Sequence, residues 1–387
     1  MRKLEGIVKE KYDVVIIDVI GSEWLKYCFP KECNSFSVRI DNKLPFIKSF
    51  SFFYNLLRCI AKYGLTSVAL LSAIILELKP KVVITFIDNN RFMGPMQTIF
   101  PSVLFISVQN GTRLGDPSFK SRGKYLSFPY YFGLGDHEFN MMIDKNATVK
   151  RYYSTGSLKM GIFLSTIYSP TKKRNKAKDI CFVSPYSIRL ANSSDSNCIK
   201  FMALNQEFCR NLLKFSQNNN INIVIAMRNE LKSDEYQSEM DFFENIFGRD
   251  GAIYCANDRV KMSSYKTGIE SSLIVSVIST LLYELLGVKK KILCINFAKD
   301  MENDERQYDA VAAGVVNDER QYEFLPSEIL LNSLDYGEFN NKVNALLEMS
   351  DNDFSEKTKY ARKCYMNFGD KYPHEIIYNL IKNKCNK

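Results

Sequence analysis

Ser279 and Thr280 separate two apolar runs, and Glu284 follows one turn later, giving S-T-x-x-x-E where a strand hands over to a helix. The first N–H groups of a helix lack intrahelical partners, so hydroxyls beside them complete a donor set for an anion such as a monophosphate or diphosphate. Glu284 falls one position too late to close a capping box on Thr280, which leaves its carboxylate free to accept from a ribose hydroxyl. The plainer reading makes Ser279 a helix cap and Glu284 a solvated surface residue. Arg228, in Met227-Arg228-Asn229-Glu230, carries a guanidinium that can fork onto phosphate oxygens; the plainer alternative is an ion pair with Glu230.

These residues need strands and helices to place them. Leu273 to Ile278 is a β-branched run typical of a strand covered on both faces. Leu281, Leu282, Leu285 and Leu286 follow at helical spacing with Gly287 to close the helix, and Ile292 to Ile295 forms a second strand. That is a βαβ unit. Similar apolar runs upstream end in polar residues: Tyr12–Ile17 at Asp18, Lys81–Ile87 at Asp88-Asn89-Asn90, and Val103–Val108 at Gln109-Asn110-Gly111-Thr112-Arg113. Further strands are expected at Tyr130–Gly133, running into Leu134–Glu138, and at Arg151–Ser157. Between them, Phe50, Phe53, Leu56, Leu57 and Ile60 fall on one helical stripe, and a second helix covers Thr66–Leu78.

Strands alternating with helices predict a doubly wound parallel sheet in this half. A basic, exposed linker follows Tyr168-Ser169-Pro170. A second series then runs from Ile180-Cys181-Phe182-Val183-Ser184 through a helix at Cys198–Asn218 and strands at Ile221–Ala226 and Ala252–Cys255. The six residues Asn303–Tyr308 recur at Asn317–Tyr322, which we read as a local duplication on a charged surface.

At 387 residues two domains are the default. The net charge of +9 is largely local, in Lys172–Lys178 and the last six residues, which suits anionic small ligands or a membrane surface and lacks the continuous stripe with stacking aromatics that nucleic acid requires. Ten cysteines form no CxxC pair and only two histidines exist, so neither a disulfide framework nor a metal cluster is expected, and a reducing compartment is. No G-x-G-x-x-G follows a strand, which argues against a Rossmann dehydrogenase. The charged N-terminus leads into a strand rather than a signal region, and the apolar stretch Leu65–Leu78 is too short to span a bilayer. The expectation is a cytoplasmic protein with a peripheral contact to the inner membrane face at most.

The motifs GSEWL at Gly21, VVITFIDNN at Val82, ISVQNGTR at Ile106, GSLK at Gly156, ICFVS at Ile180, IAMRNE at Ile225 and SSLIVSVISTLLYELLG at Ser271 span nearly the whole chain. With them the chain resembles the bacterial surface-carbohydrate biosynthesis proteins, a group similar to GT-B glycosyltransferases. Where many of that group carry FGEYE, this chain has Phe132-Gly133-Leu134-Gly135-Asp136-His137-Glu138. The resemblance implies an α/β, GT-B-like fold: two Rossmann-like domains with a cleft between them. Residues 1–168 would form the acceptor side, 179–360 the nucleotide-sugar side, and 361–387 helices packing back on the first domain. It implies a metal-independent transferase with no cofactor beyond a nucleotide-sugar co-substrate, acting on a surface polysaccharide or lipid-linked glycan acceptor. CMP-linked sugars such as Kdo and diphosphate-linked sugars suit a helix start equally.

Carried over, Ser184, Arg228, Glu230, Ser279, Thr280 and Glu284 would bind the donor. Asn89, Asn90, Gln109, Asn110 and Arg113 would bind the acceptor. The base that deprotonates the acceptor hydroxyl should project from a strand tip of the first half: Asp88 is the first choice, with His137, Glu138 and Asp18 behind it. A CDP-polyol phosphotransferase of similar layout, or a non-catalytic sugar- or nucleotide-binding protein of an assembly complex, stands as the alternative.

Overall fold

Short runs of β-branched residues form most strands, and the central ones are buried on both faces, which is why they read as unbroken apolar stretches. The computed structural model describes residues 11–17, 21–38, 49–88, 90–113, 126–169, 179–277, 279–297 and 322–386. Asp18, Asn89, the basic run from Pro170 and, Tyr322 apart, the two Asn-Asp-Glu-Arg-Gln-Tyr copies lie outside these residues.

The chain divides into two units: Met1–Thr112, Ser118–Ile162 and Phe368–Lys387 form the first, and Arg113–Pro117 with Phe163–Asn367 the second. The first unit holds β1 (Val14–Ile17), β2 (Ser35–Val38), β3 (Val82–Thr85), β4 (Leu104–Val108), β5 (Ser127–Gly133) and β6 (Thr148–Ser154). They lie in the order β2-β1-β3-β4-β5-β6. Every pairing is parallel, with Val14 opposite Val82 and Ile84 opposite Ile106. Its helices are α1 (Ser22–Leu25), α2 (Phe50–Tyr63), α3 (Ser67–Leu78), α4 (Met93–Ile99), α5 (Asp136–Asp144) and α6 (Leu158–Ile162).

The second unit contains β7 (Ile180–Val183), β8 (Ile223–Glu230), β9 (Ile253–Asn257), β10 (Leu273–Ser276), β11 (Ile292–Ile295) and β12 (Leu330–Leu331), in the order β12-β11-β10-β7-β8-β9 and parallel throughout. Counted from β7, this is the doubly wound order 3-2-1-4-5-6. Its helices are α7 (Ile188–Ala191), α8 (Ser196–Asn219), α9 (Tyr236–Phe247), α10 (Ser263–Glu270), α11 (Thr280–Gly287), α12 (Tyr336–Glu348), α13 (Asp351–Lys357) and α14 (Lys359–Tyr365). The last helix, α15 (Pro373–Cys385), belongs to the first unit, where Lys81 Nζ donates to the Cys385 carbonyl.

Three expectations need correction. The stripe expected on α2 is split: Leu56 and Ile60 pack inward beside buried Phe52 and Cys59, while Phe50, Phe53 and Leu57 are exposed. Phe52, whose N–H donates to the Ser49 hydroxyl at the helix cap, is buried in the core with α3, whereas Phe53 is exposed. Second, residues 361–367 group with the second unit, so the return to the first begins at Phe368. Third, Gly287 does not close α11 in a left-handed turn. It is the last helical residue, and a Cβ there would lie 2.4 Å from Met366 Cγ, so close packing demands it; Lys289 takes the positive φ of 65° instead.

Candidate functional site

In open α/β sheets ligands bind outside the carboxyl ends of the strands where the strand order reverses. In the second unit that place lies between β7 and β10, which pair directly with Ile274 opposite Cys181. The Ser276 hydroxyl ties the two ends together by donating to the Val183 carbonyl at 3.2 Å. Ser184 follows β7, and Ser279 and Thr280 open α11 after β10. Ser279 is the helix cap, its Oγ accepting from the Leu281 N–H at 3.2 Å. From Leu281 to Gly287 every residue of α11 is buried, and only the helix start at Ser279 and Thr280 is half-exposed. A helix that is apolar all round belongs in a core; this one reaches the surface by its N-terminus.

Beside this point β8 is irregular. Its register against β9 shifts between Ala226 and Glu230, and the two N–H groups turned out of the ladder, of Arg228 and Asn229, donate at 2.9 Å to the two oxygens of Glu239 on α9. Glu239 is fully buried and also accepts from the Ser184 hydroxyl. One carboxylate thus fastens the ends of β7 and β8, and the bulge re-aims Arg228 as bulges beside binding sites do. The Arg228 side chain is exposed, and its Nη1 donates to the Tyr186 carbonyl at 3.3 Å. Glu230 does not form the ion pair with Arg228 that the plainer alternative called for; it pairs at 3.4 Å with Arg259, both exposed. Burial first and the Glu239 charge second raise the Tyr186 phenol above its ordinary range.

Glu284 is not the open carboxylate expected for a ribose. It is 2% exposed and hydrogen-bonded to the Tyr265 phenol of α10. Burial first, then the Glu284 charge and this bond, push Tyr265 well above the usual range of a phenol, so it stays a donor. The two helices can approach this closely because residue 268 is glycine: a Cβ there would lie 2.5 Å from Leu285 Cδ1.

In the first unit the strand ends β3, β4 and β5 bring together most of the polar residues singled out in the sequence. Asp88 is fully buried, and its Oδ2 accepts from the Tyr131 hydroxyl at 3.0 Å. The expected projecting strand-tip acid is therefore an inward one, held by a phenol from β5. Gln109 is fully engaged: its Nε2 donates to the Gly111 carbonyl at 2.9 Å and to Glu138, and its Oε1 accepts from the Leu134 N–H at 3.0 Å. Such an amide aligns the neighbouring loops and is not open to a substrate. Glu138 and His137 lie in the first turn of α5, 6% and 5% exposed, not in a loop. Asn90, 8% exposed, accepts from the Phe92 N–H at 3.2 Å in a turn just before α4. Asn110 and Arg113 are half-buried, and Arg113 groups with the second unit.

Glu239, Tyr131 and Tyr265 were missed in the sequence. For Glu239 a signal existed, since Glu239, Phe243 and Phe247 recur every four residues and all three are buried; a carboxylate on the inner stripe of a helix demands buried donors. Among the described residues no three His, Cys, Asp or Glu side chains converge to hold a metal, and no helix is long and apolar enough to cross a membrane.

Two parallel, doubly wound sheets, one with polar strand ends flanking a helix start and one with buried carboxylates at its strand ends, define an α/β protein of the GT-B-like class. Residues 106–384 match the family described as "putative O-antigen biosynthesis protein", and the chain belongs to that family. No curated protein matches its sequence. Among solved structures it is similar to the S. aureus MnaA–UDP co-structure, at 11% identity and a TM-score of 0.56 over 96% of each chain. It is also similar to the UDP-GlcNAc 2-epimerase of Methanocaldococcus jannaschii in complex with UDP-GlcNAc and UDP, at 12% identity and a TM-score of 0.51 over 97% of this chain and 100% of that one. The wall teichoic acid polymerase TagF with CDPG follows at 8% identity and a TM-score of 0.50, over 97% and 89%. At these identities the likeness is one of fold.

Proposed function

We propose that the protein is a glycosyltransferase that moves a sugar from a nucleotide-sugar donor to a surface polysaccharide or lipid-linked glycan. The observation that carries this reading is the edge at β7, β8 and β10. Arg228 is held by the Glu239 clamp beside the switch point, and the hydroxyls of Ser279 and Thr280 flank the half-exposed start of α11. A guanidinium and helix N–H groups suit a phosphate whose negative charge grows as it leaves, without a metal or other cofactor. In the reaction the bond from the sugar's anomeric carbon to the donor phosphate breaks, a bond to the acceptor oxygen forms, and the acceptor proton passes to a basic side chain. Asp88 is the leading candidate, with His137, Glu138 and Asp18 behind it. The membership in an O-antigen biosynthesis family supports a glycan as acceptor.

The names of the similar structures, two of them with UDP and one with CDPG, supply the donors to try first. The test is to incubate the protein with UDP-, CMP-, GDP- and CDP-linked donors, with and without a glycolipid extract, and to follow nucleotide release and sugar transfer by mass spectrometry. Release that depends on the acceptor is expected, abolished by Asp88→Asn and strongly reduced by Arg228→Met. An isomerised sugar nucleotide without release would make the protein an epimerase, transfer of a polyol phosphate would make it a phosphotransferase, and a thermal shift without turnover would make it a binding protein.

A further inference from the structure

α2 is apolar on both sides. Its inner face packs on α3 and the first sheet through Phe52 and Cys59. Its outer face presents Phe50, Phe53, Tyr54 and Leu57, respectively 91%, 47%, 57% and 68% exposed. Their spacing of three and four residues sets them on one stripe, and Leu65, just beyond the helix, is 89% exposed as well. So many large apolar side chains in two turns of one surface helix mark an interaction surface rather than scattered exposure.

The charges on this face have one sign. Arg58 sits 5.7 Å from the centre of the Tyr54 ring, and Lys62 lies one turn further along and is exposed. From Asn42 to Thr66 the sequence contains no Asp or Glu. Glu77 of α3, which reaches the start of α2, accepts from the Ser49 hydroxyl at 2.7 Å and is occupied there. A second copy of the chain meeting this face by two-fold symmetry would bring like cations together with no carboxylate on the stripe to neutralise them. An anionic bilayer surface supplies both components the stripe needs: an apolar boundary layer for the rings and phosphates for the cations.

We propose that the outer face of α2 docks the protein on an anionic lipid surface, the aromatic and leucine side chains entering the headgroup–acyl boundary while Arg58 and Lys62 meet lipid phosphates. The docking needs no nucleotide and stands or falls apart from the transferase reading. The experiment is co-sedimentation of the full chain with vesicles of phosphatidylethanolamine, with and without phosphatidylglycerol, over a salt series. The chain should partition onto the phosphatidylglycerol vesicles and leave them as salt rises. Arg58→Gln with Lys62→Gln should weaken partitioning by about fivefold per cation. Phe50→Ser with Leu57→Ser should weaken it by roughly tenfold or more at every salt concentration. Because these side chains are exposed, both variants should melt with the parent, which separates lost docking from lost folding. The proposal is overturned if the parent binds neither vesicle at low salt or if the Phe50→Ser, Leu57→Ser variant binds as the parent does. It is also overturned if the chain forms a dimer that Leu57→Ser dissociates while no vesicle binds.

Discussion

Replacing Glu239 by Gln tests whether one buried carboxylate organises the candidate donor edge. Glu239 Oε1 accepts from the Arg228 N–H and the Ser184 hydroxyl, and Oε2 accepts from the Asn229 N–H at 2.9 Å. A glutamine oxygen can take the Oε1 place, but its amide group then points N–H at the Asn229 N–H, donor against donor. One charge-assisted bond is lost, about 1.5–3 kcal/mol, and a part-buried N–H is left without its acceptor. The expected loss of stability is about 2–4 kcal/mol, measured as a change in urea midpoint at constant slope. The bulge should relax with it, so Arg228 no longer sits beside the switch point. Nucleotide affinity by calorimetry should then fall about as far as in Arg228→Met, and the double variant should lose little more. If Glu239→Gln keeps the parent's midpoint, the clamp is not the buried lock described. If it is destabilised yet binds nucleotide as the parent does, the clamp serves folding alone.

Three further outcomes are expected. Tyr265→Phe removes a donor from buried Glu284 and should cost about 1–3 kcal/mol. Because the folded state raises the Tyr265 phenol, its contribution is complete below the unfolded value of 10.0 and is lost as pH rises toward the folded one; the parent should lose stability above pH 10 more steeply than the variant in denaturant titrations. Thr280→Ala should weaken nucleotide binding by about 1–3 kcal/mol, whereas Ser279→Ala should mainly cost a helix cap, about 1 kcal/mol of stability, as calorimetry and melting together would tell. Thiol labelling of the native protein should reach at most Cys33, Cys255 and Cys385, the three half-exposed cysteines, and all ten only after denaturation; rapid native labelling of Cys181 or Cys294, whose thiols burial pushes up to about 12, would contradict the packing.

The strands that carry the site were legible because burial on both faces leaves little choice of residue: β1, β3, β4, β7, β10 and β11 each fall within an apolar run recognised in the sequence. β2, Ser35–Val38, was not, since it is an edge strand buried only at Val38 and its serines break the apolar pattern. The stripe of α2 was legible only in part for a related reason. Periodicity finds a stripe but cannot say where it divides between core and surface when both sides of the helix are apolar. The hydroxyls at the start of α11 were legible since a helix start is a local event. The partners of the acids were not. Tyr131 lies 43 residues from Asp88, Gln109 lies 29 from Glu138, and Ser184 lies 55 from Glu239, separations that only the strand order closes.

Those long-range pairs also divide the labour that the proposed reaction would need. Asp88, Glu138, Glu239 and Glu284 each take a hydrogen bond from a neutral donor: a phenol, an amide, a hydroxyl with backbone N–H groups, and a second phenol. Arg228, by contrast, has only carbonyl contact for its guanidinium and no carboxylate partner among the described residues. An arginine bonded to a carboxylate would offer a phosphate little net charge, whereas one held by a carbonyl keeps its full positive field. The pairing of Glu230 with Arg259 preserves that field. On this argument Arg259→Ala, which frees Glu230 to turn toward Arg228, should weaken nucleotide binding through the loss of that one pair. An unchanged affinity in that variant would mean that the geometry of β8, not the competition between its charges, keeps Arg228 available.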